Sequence, residues 1–272
     1  MSALNAIGAE KLFRLIGTSN APRLLDVRKD AVDLIPGSIP RPREFIRENI
    51  AEFSTGSWVV ICNGGKETSQ GIAALMRQGG AEAEILEGGH AAWQAAGLPV
   101  IDASKLPPRD ARGRTIWVTR ARPKVDRIAC PWLIRRFVDP GALFLFVAPT
   151  EVVSVAAEFG GAPFDIDGAF WSHRGHHCTF DTLIEELGLA GHEPLARLAT
   201  IVRGADTAQL ELAPQCAGLL AASLGLSRAY SDDLAQLEAG MVLYDAFYRW
   251  CRDAVDEKHD WVSHRPRERQ PA

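Results

Sequence analysis

The sequence predicts an α/β domain, a parallel sheet with helices on both faces, followed by a mainly helical α+β domain. Three observations carry this prediction. The chain is 272 residues long, which favours two domains. In its first hundred residues, apolar runs of strand length alternate with helical patterns, the order that builds a parallel sheet. Beyond a punctuated stretch at 102–114, with Pro107, Pro108 and Gly113, one strand pattern is followed by helical ones. The expected division is a first domain at 1–103, a basic, proline-rich linker at 104–113, a second domain at 114–255 and a frayed tail at 256–272.

In order, Leu4–Leu15 has helical spacing, and Arg23–Val27 and Trp58–Cys62 read as buried strands. Thr68–Gln78 places Ile72, Leu75 and Met76 on one helical face. Ala83–Leu86 is a third strand, and Ala91–Ala96 is a helix closed by Gly97. After the linker come a strand at Thr115–Thr119 and helices at Pro131–Phe137, Pro149–Glu158, Thr179–Leu187, Pro194–Val202, Pro214–Leu224 and Ser231–Val255. In the last of these, Leu234, Leu237, Met241, Tyr244, Tyr248, Cys251 and Val255 alternate steps of three and four, with Ser231 as N-cap. That stripe predicts a core-facing helix.

Composition excludes several classes. Apolar residues make up 47%, too many for disorder, and the net charge of −4 gives no overall attraction to nucleic acid or anionic membrane. The longest apolar run, Leu143 to Ala148, is far short of the roughly 20 residues of a spanning helix. Glu10, Lys11 and Arg14 interrupt the N-terminal apolar stretch, so no secretory signal is expected. Five scattered cysteines do not form a disulfide framework and predict a reduced, cytoplasmic protein. Residues 105–136 hold ten basic side chains against two acids. They read as a solvated face, an oxyanion site or a nucleic-acid contact, and no interleaved aromatics favour the last.

Cys62 ends a predicted strand and opens the loop Cys62, Asn63, Gly64, Gly65, Lys66, Glu67, Thr68, which runs into a helix. Strand, glycine-rich loop and helix N-terminus aim backbone N–H groups at one point, where a thiolate is stabilised and becomes nucleophilic near neutral pH. The same cradle would hold an anionic sulfur donor. The alternative is a buried strand cysteine beside an ordinary turn. Leu24–Arg28, Ile35–Ile39, Val59–Cys62, Leu86–Trp93 and Gly97–Val100 resemble, in order and spacing, a single rhodanese (sulfurtransferase) domain over about residues 5–102. The resemblance implies a five-stranded parallel sheet and Cys62 as the sulfur-carrying nucleophile, with no cofactor required. The loop has the length that the sulfurtransferase branch uses. It departs from the commonest pattern in carrying Asn63 and Glu67 where basic residues often stand, which leaves Lys66 as the loop cation and argues against thiosulfate as the physiological donor. Asp26 and Arg28 are expected to be structural, and Trp93 to be core.

In the second half, Asp165, Asp167, His173, His176, His177 and Cys178 form the densest cluster of candidate ligands. Imidazole, thiolate and carboxylate together suit zinc or ferrous iron. His173 and Cys178 are the candidate metal ligands, with Asp206, Glu185 or Cys130 available to complete a site. The alternative is a polar loop feeding a helix capped by Thr179. Arg127, Arg135 and Arg136 could converge on a tetrahedral oxyanion, and Cys130 precedes Pro131 at an expected helix start. The opposing reading puts the arginines on a solvated face and Cys130 in the core. Trp117–Arg136, Phe164–Asp165, Ser172–Gly175, Cys178–Asp181, Ile201–Asp206 and Met241–Asp245 resemble the chromate-resistance (ChrB-type) domain over about 114–255. That resemblance implies a role in the response to chromate, a tetrahedral dianion like sulfate. A regulator of this family would be expected to carry a DNA-binding segment where this chain has its first domain.

The expected function is a cytoplasmic sulfurtransferase-like protein forming a persulfide on Cys62, coupled to a domain that binds an oxyanion or metal through Asp126, Arg127, Cys130, Arg135, His173, Cys178 and Asp206. Its partners would be a small sulfur donor, a thiol acceptor, and chromate or sulfate. A tether of about ten residues would raise the effective concentration of the domains to roughly millimolar, so that Cys130 or Cys178 could accept sulfur directly. The alternative function is a chromate-responsive sensor in which rhodanese activity is vestigial.

Overall fold

The computed structural model describes residues 5–257. The tail expected at 256–272 falls almost wholly outside them.

The first domain runs β1 (Ala6–Ile7), α1 (Ala9–Phe13), β2 (Arg23–Asp26), β3 (Asp33–Leu34), β4 (Ser38–Pro40), α2 (Arg43–Glu48), β5 (Ser57–Ile61), α3 (Glu67–Gln78), β6 (Glu82–Leu86), α4 (Gly89–Ala95) and β7 (Ile101–Asp102). Five strands form a parallel sheet in the order β1-β6-β5-β2-β4. The apolar runs are continuous because both faces are covered. Leu25, Val60 and Ile85 face one core with Ile46 of α2 and with Ile72 and Met76 of α3. Leu24, Val59, Ile61 and Leu86 face the other, with Leu12 of α1 and Trp93 of α4. Leu4–Leu15 is not one helix, because Ala6–Ile7 pairs with Ile85–Leu86 as an edge strand. The antiparallel pair of β3 and β7 ties the end of the domain back to its middle.

The second domain begins β8 (Ile116–Arg120), α5 (Asp126–Phe137), β9 (Leu143–Val147), α6 (Val152–Phe159) and β10 (Ala162–Pro163). These form a three-stranded parallel sheet in the order β10-β8-β9, where the sequence pattern showed one strand. Four α-helices follow among the described residues: α7 (Thr179–Glu186), α8 (Glu193–Asp206), α9 (Cys216–Ala229) and α10 (Asp233–Asp253). α5 starts five residues before Pro131, which lies inside the helix and takes an N–H away from its ladder. The N-caps of α7 and α10 are Cys178 and Asp232, each one residue from the expected Thr179 and Ser231. Leu237, Met241, Tyr244, Tyr248 and Cys251 of the α10 stripe are buried, while Leu234 and Val255 at its ends are exposed.

The two domains share a core. Trp93, Leu12 and Ile16 from the first and Trp132, Phe137 and Tyr248 from the second belong to one buried apolar cluster. Gly17, at φ 82°, lies so close to the second domain that a Cβ there would meet the Phe137 ring at 2.3 Å. The Gly37 N–H donates to the carbonyl of Phe137, and Phe13 meets the His192 ring edge-on at 5.0 Å. The linker is fastened to both sides. Arg112 offers its carbonyl to Arg41, Arg109 pairs with Asp139 at 3.2 Å, and Lys105 pairs with Glu186 at 2.8 Å. No helix among the described residues is long and apolar enough to cross a membrane.

Candidate functional site

Cys62 stands at the C-terminal end of β5, where the chain turns into α3. Two helix N-termini shape this loop. Orphan N–H groups in the first turn of α4 are spent on the loop backbone: His90 N–H donates to the Cys62 carbonyl at 2.9 Å, and Ala91 N–H to that of Asn63 at 3.0 Å. This approach requires glycine. Gly89 has φ 61°, and a Cβ there would lie 2.4 Å from the Cys62 carbonyl oxygen and 2.5 Å from the Gly65 nitrogen. The N-terminus of α3 serves the side chain instead. Lys66, at its N-cap, makes no side-chain cap, and the Ser69 hydroxyl lies 3.1 Å from Cys62 Sγ.

The thiol is largely buried, which by itself raises its pKa. The Ser69 hydroxyl and the N–H groups of Ser69, Lys66 and Gly64 outweigh that and hold it below the ordinary thiol value. The thiol opens into a cavity of about 810 Å³ lined by Arg28, Lys29, Arg41, Arg43 and Lys66 and by the acids Asp30, Glu44 and Glu67. Asn63, Gly64 and Thr68 complete the wall, while Gly65 is turned inward against Leu86 and Gly88. Arg28 is held by the fully buried Asp26 at 2.8 Å and by Asp33 at 3.1 Å, which fixes the cavity wall. Trp93 is buried, its indole N–H donating to the Pro99 carbonyl.

A second constellation gathers in the second domain. Asp126 opens α5, Asp165 follows β10 at φ 52°, Asp206 ends α8, and His173 comes from the loop before α7. His173 Nε2 lies 3.4 Å from Asp126, 3.3 Å from Asp165 and 3.3 Å from Asp206. These carboxylates raise the pKa of the imidazole, and burial raises that of Asp126. Thr179 N–H donates to Asp126 Oδ2 at 2.6 Å, and its hydroxyl to Asp165 Oδ1 at 3.0 Å. Arg120 and Arg127 hold Asp165 Oδ2 at 3.0 and 3.2 Å. Burial would raise the pKa of Asp165, but donors from His173, Thr179 and the two guanidiniums bring it below the ordinary value. Val125, immediately before Asp126, has φ 33°, a strained conformation for a β-branched residue.

The structure thus brings together Asp126, Arg127, His173 and Asp206, adding Asp165 and Arg120. Cys130 and Cys178 lie near enough to feel the charge of Asp126, but their thiols are not among the ligand atoms that meet there, and Arg135 is engaged elsewhere. Cys130 lies on the buried face of α5, where burial pushes its thiol well up. Cys178 is five residues from His173, and the Arg174–His177 bridge closes the turn between them, but its thiol is buried at the head of α7, raised by burial, and is not among the ligand atoms that gather with His173. An imidazole–thiolate ligand pair of His173 and Cys178 is therefore not assembled. Arg135 pairs with Glu238 at 2.6 Å and lies over the Phe144 ring, and Arg136 grips Asp245, so the three arginines do not converge. Much of the basic segment is neutralised within the fold, Arg114 by Asp110 and Arg122 by helix-terminal carbonyls. Asp126 and Asp206 stood with His173 among the expected site residues; Asp165, named only in the His–Cys cluster, joins them where the start of α5, the chain after β10 and the end of α8 converge.

Residues 117–251 match the family model described as ChrB, C-terminal domain. Over 150 residues the chain is 37% identical to Protein ChrB of Cupriavidus metallidurans; the match takes in 54% of this chain and 44% of that protein, so the chain spans less than half of that relative's length. Over 102 residues it is 31% identical to a sulfurtransferase of Allochromatium vinosum, covering 36% of this chain and 95% of that protein. Among solved structures, a rhodanese-related protein from Thermoplasma volcanium aligns at 27% identity and a TM-score of 0.33, covering 36% of this chain and 98% of the other. The cysteine loop at the end of a parallel sheet, its glycine brace, the sulfurtransferase relative and the ChrB matches lead to one conclusion: the chain belongs to the rhodanese (sulfurtransferase) family through its first domain, which is joined to a domain of the ChrB C-terminal type.

Proposed function

We propose that the protein is a sulfurtransferase that carries sulfane sulfur as a persulfide on Cys62 and works in the chromate response that its second domain implies. The observation that carries this reading is the Cys62 thiol, held below its ordinary pKa by Ser69 and the α3 N-terminus in a cavity whose wall holds five basic side chains against three acids. The Cys62 thiolate attacks the outer sulfur of a donor. A bond forms between Sγ and that sulfur, the donor's sulfur–sulfur bond breaks, and the remainder leaves with the bonding pair, as sulfite from thiosulfate or a thiolate from an organic persulfide. A thiol or cyanide acceptor then attacks the outer sulfur and returns the thiolate. The N–H groups that stabilise the thiolate also stabilise the terminal persulfide sulfur, so both resting forms use one cradle.

Cys130 and Cys178 are poor acceptors for a direct hand-off, since both are 0% exposed, whereas Cys62 keeps 8% and lines the cavity. Asp126 also stands at the far end of α5 from the Phe137 contact, about 16 Å along the axis at 1.5 Å per residue. The acceptor in this reading is a diffusible thiol.

The test is cyanide-dependent thiocyanate release from thiosulfate and from glutathione persulfide, with intact-mass analysis, for wild type and Cys62→Ser. Turnover and a one-sulfur adduct confined to the wild type are expected. Equal background in both proteins with both donors, and no adduct, would overturn the reading.

A further inference from the structure

We propose that Asp126, His173 and Asp206 form a binding site for a divalent first-row metal ion. One ligand atom from each lies within 4.8 Å of the other two. Two ligands at about 2.1 Å from a cation stand about 3.0 Å apart at a right angle and about 3.4 Å apart at a tetrahedral angle. His173 Nε2 lies 3.4 Å from Asp126 Oδ2 and 3.3 Å from Asp206 Oδ2, the spacing of two ligands on one cation.

A second, independent observation points to a ligand. Asp126 is 1% exposed; its Oδ2 faces His173 and accepts from Thr179 N–H, while Oδ1 of the same carboxylate is buried without any hydrogen-bond partner. An orphaned carboxylate oxygen is costly in the interior, and a cation would satisfy it. The surroundings resemble an outer shell. Thr179 N–H fixes Asp126, and Asp165 stands beside His173 under the grip of Arg120 and Arg127. Access is open, since His173 is 41% and Asp206 19% exposed at the side chain. Two carboxylates and one imidazole combine oxygen ligation, which suits manganese, with nitrogen ligation, which suits iron and zinc. Three protein ligands leave positions for water or an exogenous anion. The thiols take no part, which distinguishes this site from a structural zinc centre.

This proposal does not rest on sulfur transfer at Cys62. The full chain, stripped with chelator, is titrated calorimetrically with Mn²⁺, with Zn²⁺ and, anaerobically, with Fe²⁺, with Mg²⁺ for comparison. One saturable equivalent of at least one of the three transition ions is expected, tighter than Mg²⁺. Affinity should fall about ten- to hundredfold or more in His173→Gln and Asp206→Asn, with Cys178→Ser unchanged. The His173 and Asp206 side chains are partly exposed, so these variants should retain the wild-type near-UV dichroism that an Asp126 substitution could lose. Absence of saturable transition-ion binding, binding of Mg²⁺ alone, or affinity undiminished in both variants would overturn the proposal and leave the cluster as an ion-pair network centred on an imidazolium.

Discussion

Glu67 sits in the first turn of α3 and lines the same cavity as Cys62, where its charge opposes an incoming anion. Like charges about 4 Å apart in water repel by about 1 kcal/mol. Glu67→Gln should therefore raise kcat/KM for thiosulfate about two- to fivefold, with a smaller gain for a less charged persulfide donor; steady-state kinetics with both donors checks this. Ser69 acts on the thiol itself. Ser69→Ala should move the pH midpoint of Cys62 alkylation upward by removing a donor to the thiolate, as an iodoacetamide rate–pH profile would show. Cys62 and its loop were legible in the sequence because strand, glycines and helix start are consecutive. The Asp126, Asp165, His173 and Asp206 cluster was only partly legible. Proximity in sequence suggested Cys178 as a partner for His173, but the Cys178 thiol is buried at the head of α7 while the imidazole gathers with Asp126 and Asp206.

Among the elements, α5 and α10 approach closely at Gly240, where a Cβ would lie 2.4 Å from Ile128 Cγ2. Ile128 is β-branched and buried, so it has little freedom to yield. Overpacking costs about 1–3 kcal/mol, against about 1 kcal/mol gained by replacing a helical glycine with alanine. Gly240→Ala should therefore be destabilised by about 1 kcal/mol, lowering Tm by about 2–4 °C, and pairing it with Ile128→Ala should recover part of the loss in a double-mutant cycle. The strands β2, β5 and β6 were legible as apolar runs bounded by turn residues. β9 was not, since Leu143–Val147 is too short for periodicity to separate strand from helix. β10 has two residues and exists through its pairing with β8. The start of α5 was hidden because Pro131 resembles a first-turn proline, while the positive φ of Val125 that turns the chain into the helix leaves no sequence signal.

Across the whole molecule, His192 joins the domains, packed between Phe13 and Phe137 with its Nε2 2.8 Å from the Tyr248 hydroxyl. Burial, assisted by Arg252, lowers its pKa from 6.5 to about 4. Between those values the unfolded chain binds a proton that the folded one refuses. The His192 contribution is thus complete above about pH 6.5 and is lost as pH falls toward 4. Thermal melts from pH 7 to 4.5 should show a steeper fall in Tm for wild type than for His192→Gln; parallel slopes would contradict the assignment. The shared core behind this residue also bears on how the two halves communicate. Because α5 runs from the domain seam at Phe137 to Asp126, its length holds the second site away from that seam, and among the described residues the shared core leaves no swinging arm to bridge the gap. Chemistry passing from one centre to the other would travel through bulk solvent. Its rate would scale with the concentration of a free carrier and fall on dilution, as it does for two separate enzymes that share a metabolite.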